Sequence, residues 1–309
     1  MSARCTGRVA QDSPARQTPP ADGRVLANDS LFPREAVVRR HVHVTEARVT
    51  ELAERLSPTE QAIIKTLDRV RLASAVQLEA LHFAGHGSPA TLARRARRTL
   101  ARLESLSVLA RLERRVGGVR SGSAGYVYAL DVAGQRLASA CGPAGGRRIR
   151  RPWSPAMPFV AHTLAVSELY VQLRRAESAG SLELVGFDAE PLCWRIFTGL
   201  GGARVTLKPD AFVRVAAGEH EHFSFVEVDR ATHSAVALSR KLAVYRRFLA
   251  SGREQARFGL FPRVVIVVPG EARRGVAVDV CASQPGDTWP LWRVVLADDA
   301  LAGLAGGTA

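Results

Sequence analysis

The sequence predicts a mixed protein of the α+β or α/β class in two parts, three helices with a β-hairpin followed by an αβββαβ unit. Three observations predict it. Capped, helix-periodic segments between residues 57 and 106 precede two β-like runs; a Pro-, Gly- and Arg-rich break occupies 141–158; and apolar strands and helices alternate from 159 onward. A length of 309 residues, 47% of them hydrophobic, suits about two domains of roughly 100–200 residues each and excludes disorder throughout.

Charge is the most informative part of the composition. Lys and Arg total 43 against 29 Asp and Glu, a net charge of +14, and since only Lys65, Lys208 and Lys241 are lysines, the remaining 40 are arginines. Between residues 90 and 151, fourteen arginines face only Glu104, Glu113 and Asp131, a local net charge of +11. Coding bias would replace Lys by Arg everywhere but would not strip acids from one segment, so this stretch reads as an anion-binding surface for nucleic acid. The longest uncharged stretch, 152–167, is broken by prolines and too short for a membrane span, and the N-terminus has no apolar signal-peptide core. A cytoplasmic protein with no membrane partner is expected. Cys5, Cys141, Cys193 and Cys281 lie far apart with no CxxC pair, so they read as reduced and structural.

Residues 1–55 read as a disordered or loosely ordered tail, the first forty being rich in Pro, Ala, Arg and polar residues without sustained periodicity. At Ser57-Pro58-Thr59-Glu60 a serine cap, a proline at the first helical position and a glutamate three after the cap form a capping box, and Ile63, Ile64, Leu67 and Val70 continue it as a helical stripe. A second helix fits 74–83 and ends at Gly85-His86-Gly87. Ser88-Pro89 opens a third, to about Leu106, with Leu92, Ala96, Leu100 and Leu103 on one face and Arg94, Arg98 and Arg102 on another, beside Arg95 and Arg97. Two β-like runs, 109–116 and 126–130, carry Arg114 and Arg115 and flank a glycine-rich turn with Arg120. Three helices and a hairpin over 56–140 are the order of a winged helix-turn-helix, whose third helix enters the major groove of double-stranded DNA while the wing touches phosphate. Arg94, Arg95, Arg98, Arg102, Arg114, Arg115 and Arg120 are the expected DNA contacts. The alternative is a helical bundle with a solvated arginine face. Phosphate contacts alone position a protein without specifying bases.

After the 141–158 linker, the second domain spans 159–300 and 301–309 form a flexible tail. A long helix fits 159–177, then strands near 182–187, 204–207 continuing through 210–215, and 222–229, then a helix over 234–250, a strand at 264–268 and a further one at 292–296. In the 222–229 strand, Phe223, Phe225, Glu227 and Asp229 share one face and Ser224, Val226 and Val228 the other. Both faces are largely apolar, so the strand is central, and its carboxylates are not a solvated stripe. Lys208 and Asp210 share a face of the preceding strand. Pairing brings Asp210, Glu227 and Asp229 together, and three close carboxylates repel unless a cation or basic partner joins them. Oxygen donors suit Mg²⁺ or Mn²⁺ rather than zinc.

A Pro-Asp, a hairpin and a strand ending in Glu-x-charged within αβββα resemble the PD-(D/E)xK nuclease superfamily, with its restriction-endonuclease-like fold. More narrowly, QLEALHF (77–83), AHTLAVSELY (161–170), LKPDAFVRV (207–215), FVEVDRAT (225–232), KLAVYRRF (241–248) and FPRVVIVVP (261–269) resemble the replication-relaxation family of plasmid and mobile-element proteins. The resemblance implies Asp210 and Glu227 as metal ligands. It also implies a catalytic lysine two residues after Glu227, where this chain has Asp229. Lys241, with Tyr245 one turn further along the same helix, and Lys208 are the substitutes, and Glu168 is a fourth carboxylate to consider. The resulting expectation is a divalent-metal-dependent DNA nickase or endonuclease working with protein partners in plasmid replication or transfer. Its rival is a non-catalytic DNA-binding regulator or adaptor, in which Asp229 pairs with Arg230, Arg240 or Lys241 in a structural network. The pairs His41/His43 and His220/His222 lack companions at zinc spacing, the four tyrosines lack a histidine cluster, and no GxxxxGK[ST] loop exists for an ATPase.

Overall fold

The computed structural model describes residues 44–85, 87–112, 125–140, 155–232 and 234–307. Its first element lies within the residues expected to form the tail: α1 (Glu46–Arg55), whose first turn is capped by Thr45 and whose buried face is Leu52. Dense charge hid the stripe, because only Val49, Leu52 and the following Leu56 meet the core. α2 (Pro58–Val70) begins at the capping box: Ser57 Oγ accepts from Glu60 N, and Glu60 Oε2 accepts from Ser57 N at 2.9 Å. The other oxygen of Glu60 is paired with Arg102, so the same buried acid caps one helix and ties down another.

β1 (Ala73–Ser74) leads into α3 (Ala75–His82), α4 (Pro89–Ser105), β2 (Leu109–Arg111), β3 (Val127–Leu130) and α5 (Val132–Ala140). The three strands form a sheet of order β1-β3-β2, all antiparallel, with Ala73 opposite Tyr128 and Ala110 opposite Ala129. The sequence missed β1, which is only two residues long, and α5. The expected wing turn with Arg114, Arg115 and Arg120 lies outside the described residues, as does most of the expected linker.

α6 (Met157–Ser178) precedes β4 (Glu183–Ala189), β5 (Arg195–Thr198), β6 (Arg204–Leu207), β7 (Ala211–Ala217), β8 (His220–Val228), α7 (Ala235–Ala250), α8 (Arg253–Phe258), β9 (Arg263–Val268), α9 (Glu271–Ala282), β10 (Trp292–Leu296) and α10 (Ala300–Leu304). The main sheet has order β10-β9-β8-β7-β4, with β8, β9 and β10 parallel and β4, β7 and β8 an antiparallel meander. The strand expected to run from 204 through 215 is two strands in two sheets. Pro209, which has no N–H to donate, sits at the break; β6 pairs with the unpredicted β5, and β7 joins the main sheet. α10, expected as flexible tail, buries Ala300 and Leu304.

One apolar cluster covers the α6 face of the sheet and continues into the N-terminal helices, running from Leu52, Ile63, Leu78 and Leu103 through Leu169 and Tyr170 to Val213, Val226 and Val265. A second fills the opposite face, where Phe225, Val264 and Ile266 meet Leu242, Tyr245 and Phe248 of α7 and Ala277 of α9. Residues 44–309 accordingly cluster as one compact unit, so the two expected domains share a core. Polar ties reinforce the joint: Ser167 Oγ donates to Leu72 O at 2.6 Å, and Gln77 Nε2 donates to Leu164 O and Glu168 Oε2, both at 3.0 Å. Gln77 Oε1 also accepts from Ser74 N, completing the cap of α3. Glu168 is thus engaged at this joint and not among the strand-end carboxylates. Glu60→Ala removes both the cap and the Arg102 pair; it is expected to lower stability by about 1–2 kcal/mol, measurable as a reduced urea midpoint, with Arg102→Ala costing less.

Candidate functional site

The site forms where β7 begins and β8 ends. Asp210 precedes β7, and its backbone N–H donates to Val226 O at 3.0 Å while its Oδ2 accepts from Val228 N at 2.7 Å, so the side chain is held across the end of β8. Glu227 lies on the Phe225 side of β8, facing α7, and is only 4% exposed. A carboxylate buried this deeply needs partners, and α7 supplies two from residues one turn apart. Lys241 Nζ bonds Glu227 Oε2 and stands 3.6 Å from Asp210 Oδ1, while Tyr245 Oη donates to Glu227 Oε1 at 2.5 Å. From the other face of the sheet, His162 near the start of α6 reaches Asp210 Oδ1 through Nε2 at 3.3 Å. Lys241, whose side chain is 35% exposed, connects the cluster to solvent.

The electrostatics follow from burial working against these partners. Burial raises the Glu227 carboxyl to about 7, and Lys241 and the Tyr245 hydroxyl only partly offset it. Burial pushes Asp210 the same way, but Lys241, His162 and the Val228 N–H outweigh it and hold Asp210 below its ordinary value. The hydrogen bond to Asp210 raises His162, and the two carboxylates raise Lys241 against the cost of burying it.

The structure separates the sequence-predicted residues into three groups. Asp210, Glu227 and Lys241 converge. Asp229 does not join them: β8 stops at Val228, the backbone turns through Ala231 with φ +59°, and Asp229 Oδ1 accepts from Ala231 N while Oδ2 takes Nε of Arg273 at 2.8 Å. Its partner is Arg273 of α9, not Arg230, Arg240 or Lys241. Lys208 is exposed and rests over the Trp194 ring, 4.7 Å from its centroid. Sequence reasoning missed His162, because one histidine in an apolar helix carries no local mark of an aspartate 48 residues away.

Of the expected DNA contacts, Arg94, Arg95 and Arg98, with Arg97, are exposed on α4 and form no ion pair among the described residues, whereas Arg102 is paired with Glu60. Cys193 and Cys281 are buried free thiols, Cys193 donating to Pro209 O at 3.0 Å. Among the described residues no helix is long and apolar enough to cross a membrane, and no three His, Cys, Asp or Glu side chains are gathered to hold a metal. A two-carboxylate site remains compatible with Mg²⁺, which is commonly held by one or two carboxylates plus water and substrate phosphate. Asp210 Oδ1 and Glu227 Oε2 already face a single cationic centre, the Lys241 ammonium.

Between pH 4.5 and about 7, folded protein keeps a proton on Glu227 that the unfolded chain releases, so this group's contribution to stability falls as pH rises through that window. In EDTA, urea unfolding at pH 5 and pH 8 is expected to show that fall, and Glu227→Gln to flatten it. Arg273→Ala leaves Asp229 buried and unpaired and is expected to cost about 3–5 kcal/mol in the same measurement.

Comparison with curated proteins returns no match, and neither does comparison with solved structures. The family model described as Replication-relaxation matches residues 64–264, which takes in α3, α4, α6 and the whole Asp210–Glu227–Lys241 cluster. With about two thirds of its length under that match, the chain belongs to the replication-relaxation family.

Proposed function

We propose that the protein binds double-stranded DNA through the arginine face of α4 and nicks or cuts a phosphodiester at the Asp210–Glu227–Lys241 site with Mg²⁺ or Mn²⁺. Family membership ties the chain to replication of plasmid or mobile-element DNA; the binding mode and the reaction are our reading of the site. The observation that carries it is the convergence of two strand-end carboxylates on one lysine. That lysine comes from α7, so Lys241 supplies the ammonium that Asp229 cannot supply two residues after Glu227.

The DNA-binding half of the reading rests on element order. The succession α2-β1-α3-α4-β2-β3 with sheet order β1-β3-β2 supports reading this part as a winged helix, in which α4 would be the recognition helix and its exposed arginines would meet phosphate. The shared core then holds α4 and the carboxylates in one body.

A divalent ion bound by the two carboxylates would polarise a phosphate oxygen and lower the pKa of a bound water. The chain's own residues prepare that chemistry. The Val228 N–H and His162 fix the rotation of Asp210, and Tyr245 occupies Glu227 Oε1, leaving Oε2 to Lys241. The Lys241 ammonium, partly open to solvent, is placed to neutralise charge building on the phosphate. The second reading, a non-catalytic DNA-binding regulator or adaptor, is favoured by one observation: both carboxylates already have partners within the protein.

Incubation of supercoiled plasmid with the protein and Mg²⁺ or Mn²⁺ separates the two. Nicking that Asp210→Ala and Glu227→Ala abolish, and that Lys241→Ala lowers at least about a hundredfold, supports the nuclease; binding without nicking under either metal supports the adaptor. Arg94→Glu with Arg98→Glu is expected to weaken duplex binding and to reduce the salt slope by about 1.8, near 0.9 for each lost phosphate contact. An unchanged slope removes α4 from the interface.

A further inference from the structure

Between β4 and β7 the chain builds a small structure that the proposed chemistry leaves unused. β5 and β6 form a separate two-stranded sheet with Arg195 opposite Leu207, Ile196 opposite Thr206 and Thr198 opposite Arg204. Its inner face is anchored. Phe197 and Leu207 are buried in the α7-side core, and Arg195 donates to Glu254 Oε1 at 2.7 Å while its guanidinium lies over Phe212 at 4.9 Å.

By strand alternation the outer face carries Ile196 and Thr198 on one strand and Arg204 and Thr206 on the other, with Lys208 just past β6; Trp194, just before β5, is half-buried, its indole resting partly on the α7-side core and partly under Lys208. No acid is among them. Lys208 and Arg204 are exposed and form no ion pair among the described residues; the Lys208 ammonium has the Trp194 ring in place of an anion. Ile196 is 48% exposed. Four residues along a strand separate the two cations by about 13 Å, far enough to meet different phosphates. The ribbon runs from Lys208 through Pro209 directly into Asp210.

We infer that this outer face binds a single-stranded stretch of DNA and leads it into the carboxylate site, with Lys208 and Arg204 on phosphates and Trp194 and Ile196 against an unpaired base. Cations beside aromatic and aliphatic side chains suit single strands, whose base faces are open, whereas a duplex hides those faces in its own stack. The inference rests on the reading that the site acts on DNA and names the substrate class: a strand with unpaired bases next to the scissile phosphate. It assigns Lys208 to holding substrate and leaves the ammonium at the reacting phosphate to Lys241.

The test is binding of an oligo-dT single strand to the full chain in EDTA, followed by tryptophan fluorescence and by salt titration. Quenching that disappears in Trp194→Phe is expected. Lys208→Gln with Arg204→Gln should weaken binding at least about tenfold and lower the salt slope by about 1.4, near 0.7 for each contact, while duplex binding through α4 is unchanged. Oligonucleotide binding by Trp194→Ala and by the double variant with unaltered affinity and slope would overturn the inference, as would failure of the unaltered protein to bind the single strand. Binding with these signatures but no plasmid nicking keeps the single-strand face and overturns only the cleavage reading. Nicking by a protein whose variants bind and cut like the original does the reverse.

Discussion

A carboxylate on the central strand of a sheet, closed off from water, cannot stay there without partners, and much of the second half of this protein is arranged around that requirement at Glu227. α7 meets it with Lys241 and Tyr245, placed one turn apart so that each takes one carboxylate oxygen. The same lysine faces Asp210 across the strand pair, and His162 and the Val228 N–H complete the surroundings of that second acid. The register that puts Ala211 opposite Val226 sets Asp210 beside Glu227. Removing Lys241 would leave two buried carboxylates without their shared cation, so this one side chain ties α7 to β7 and β8, while His162 ties in α6.

The second constraint is the joint between the helical N-terminal part and the sheet. α6 has two working faces, one on β4 and β8 and one on α3 and β1, where Gln77 donates to Leu164 O and Ser167 to Leu72 O across the contact. A shared core makes relative motion of the two parts costly, unlike the small polar interfaces that allow domains to rock. The same core fixes the separation between the arginines of α4 and the carboxylates of β7 and β8. Arg102 belongs to this framework, since its pair with Glu60 holds α4 on α2, and the outward set on the helix is Arg94, Arg95, Arg97 and Arg98.

Strong local signals in the sequence carried through to the structure. The serine caps at Ser57 and Ser88, the apolar run of β9 and the alternation of β8 each reflect a single element's own preference, and each element formed within a few residues of its predicted span. Misses fall where a local pattern is weak or is overridden. α1 shows few apolar positions among charges, β1 is two residues long, and α9 mixes glycine and valines that resemble neither period well. The 204–215 strand divided at Pro209. Asp229 kept the right parity for the Glu227 face, yet the strand ended one residue before it and the freed backbone turned it toward Arg273.

By itself, the sequence determined the amphipathic elements, the concentration of arginine before residue 151 and the pairing of Asp210 with Glu227 near one strand end, because each depends on residues close together in the chain or on simple strand alternation. Only the tertiary structure decided which cation joins the carboxylates. Lys208 is two residues from Asp210 and Lys241 is 31 away, yet Lys208 rests on Trp194 while α7, crossing over between parallel β8 and β9, delivers Lys241 to Glu227. His162 arrives from the opposite face for the same reason. Proximity along the chain does not measure proximity across a packed sheet, where helices from both faces meet at the strand ends.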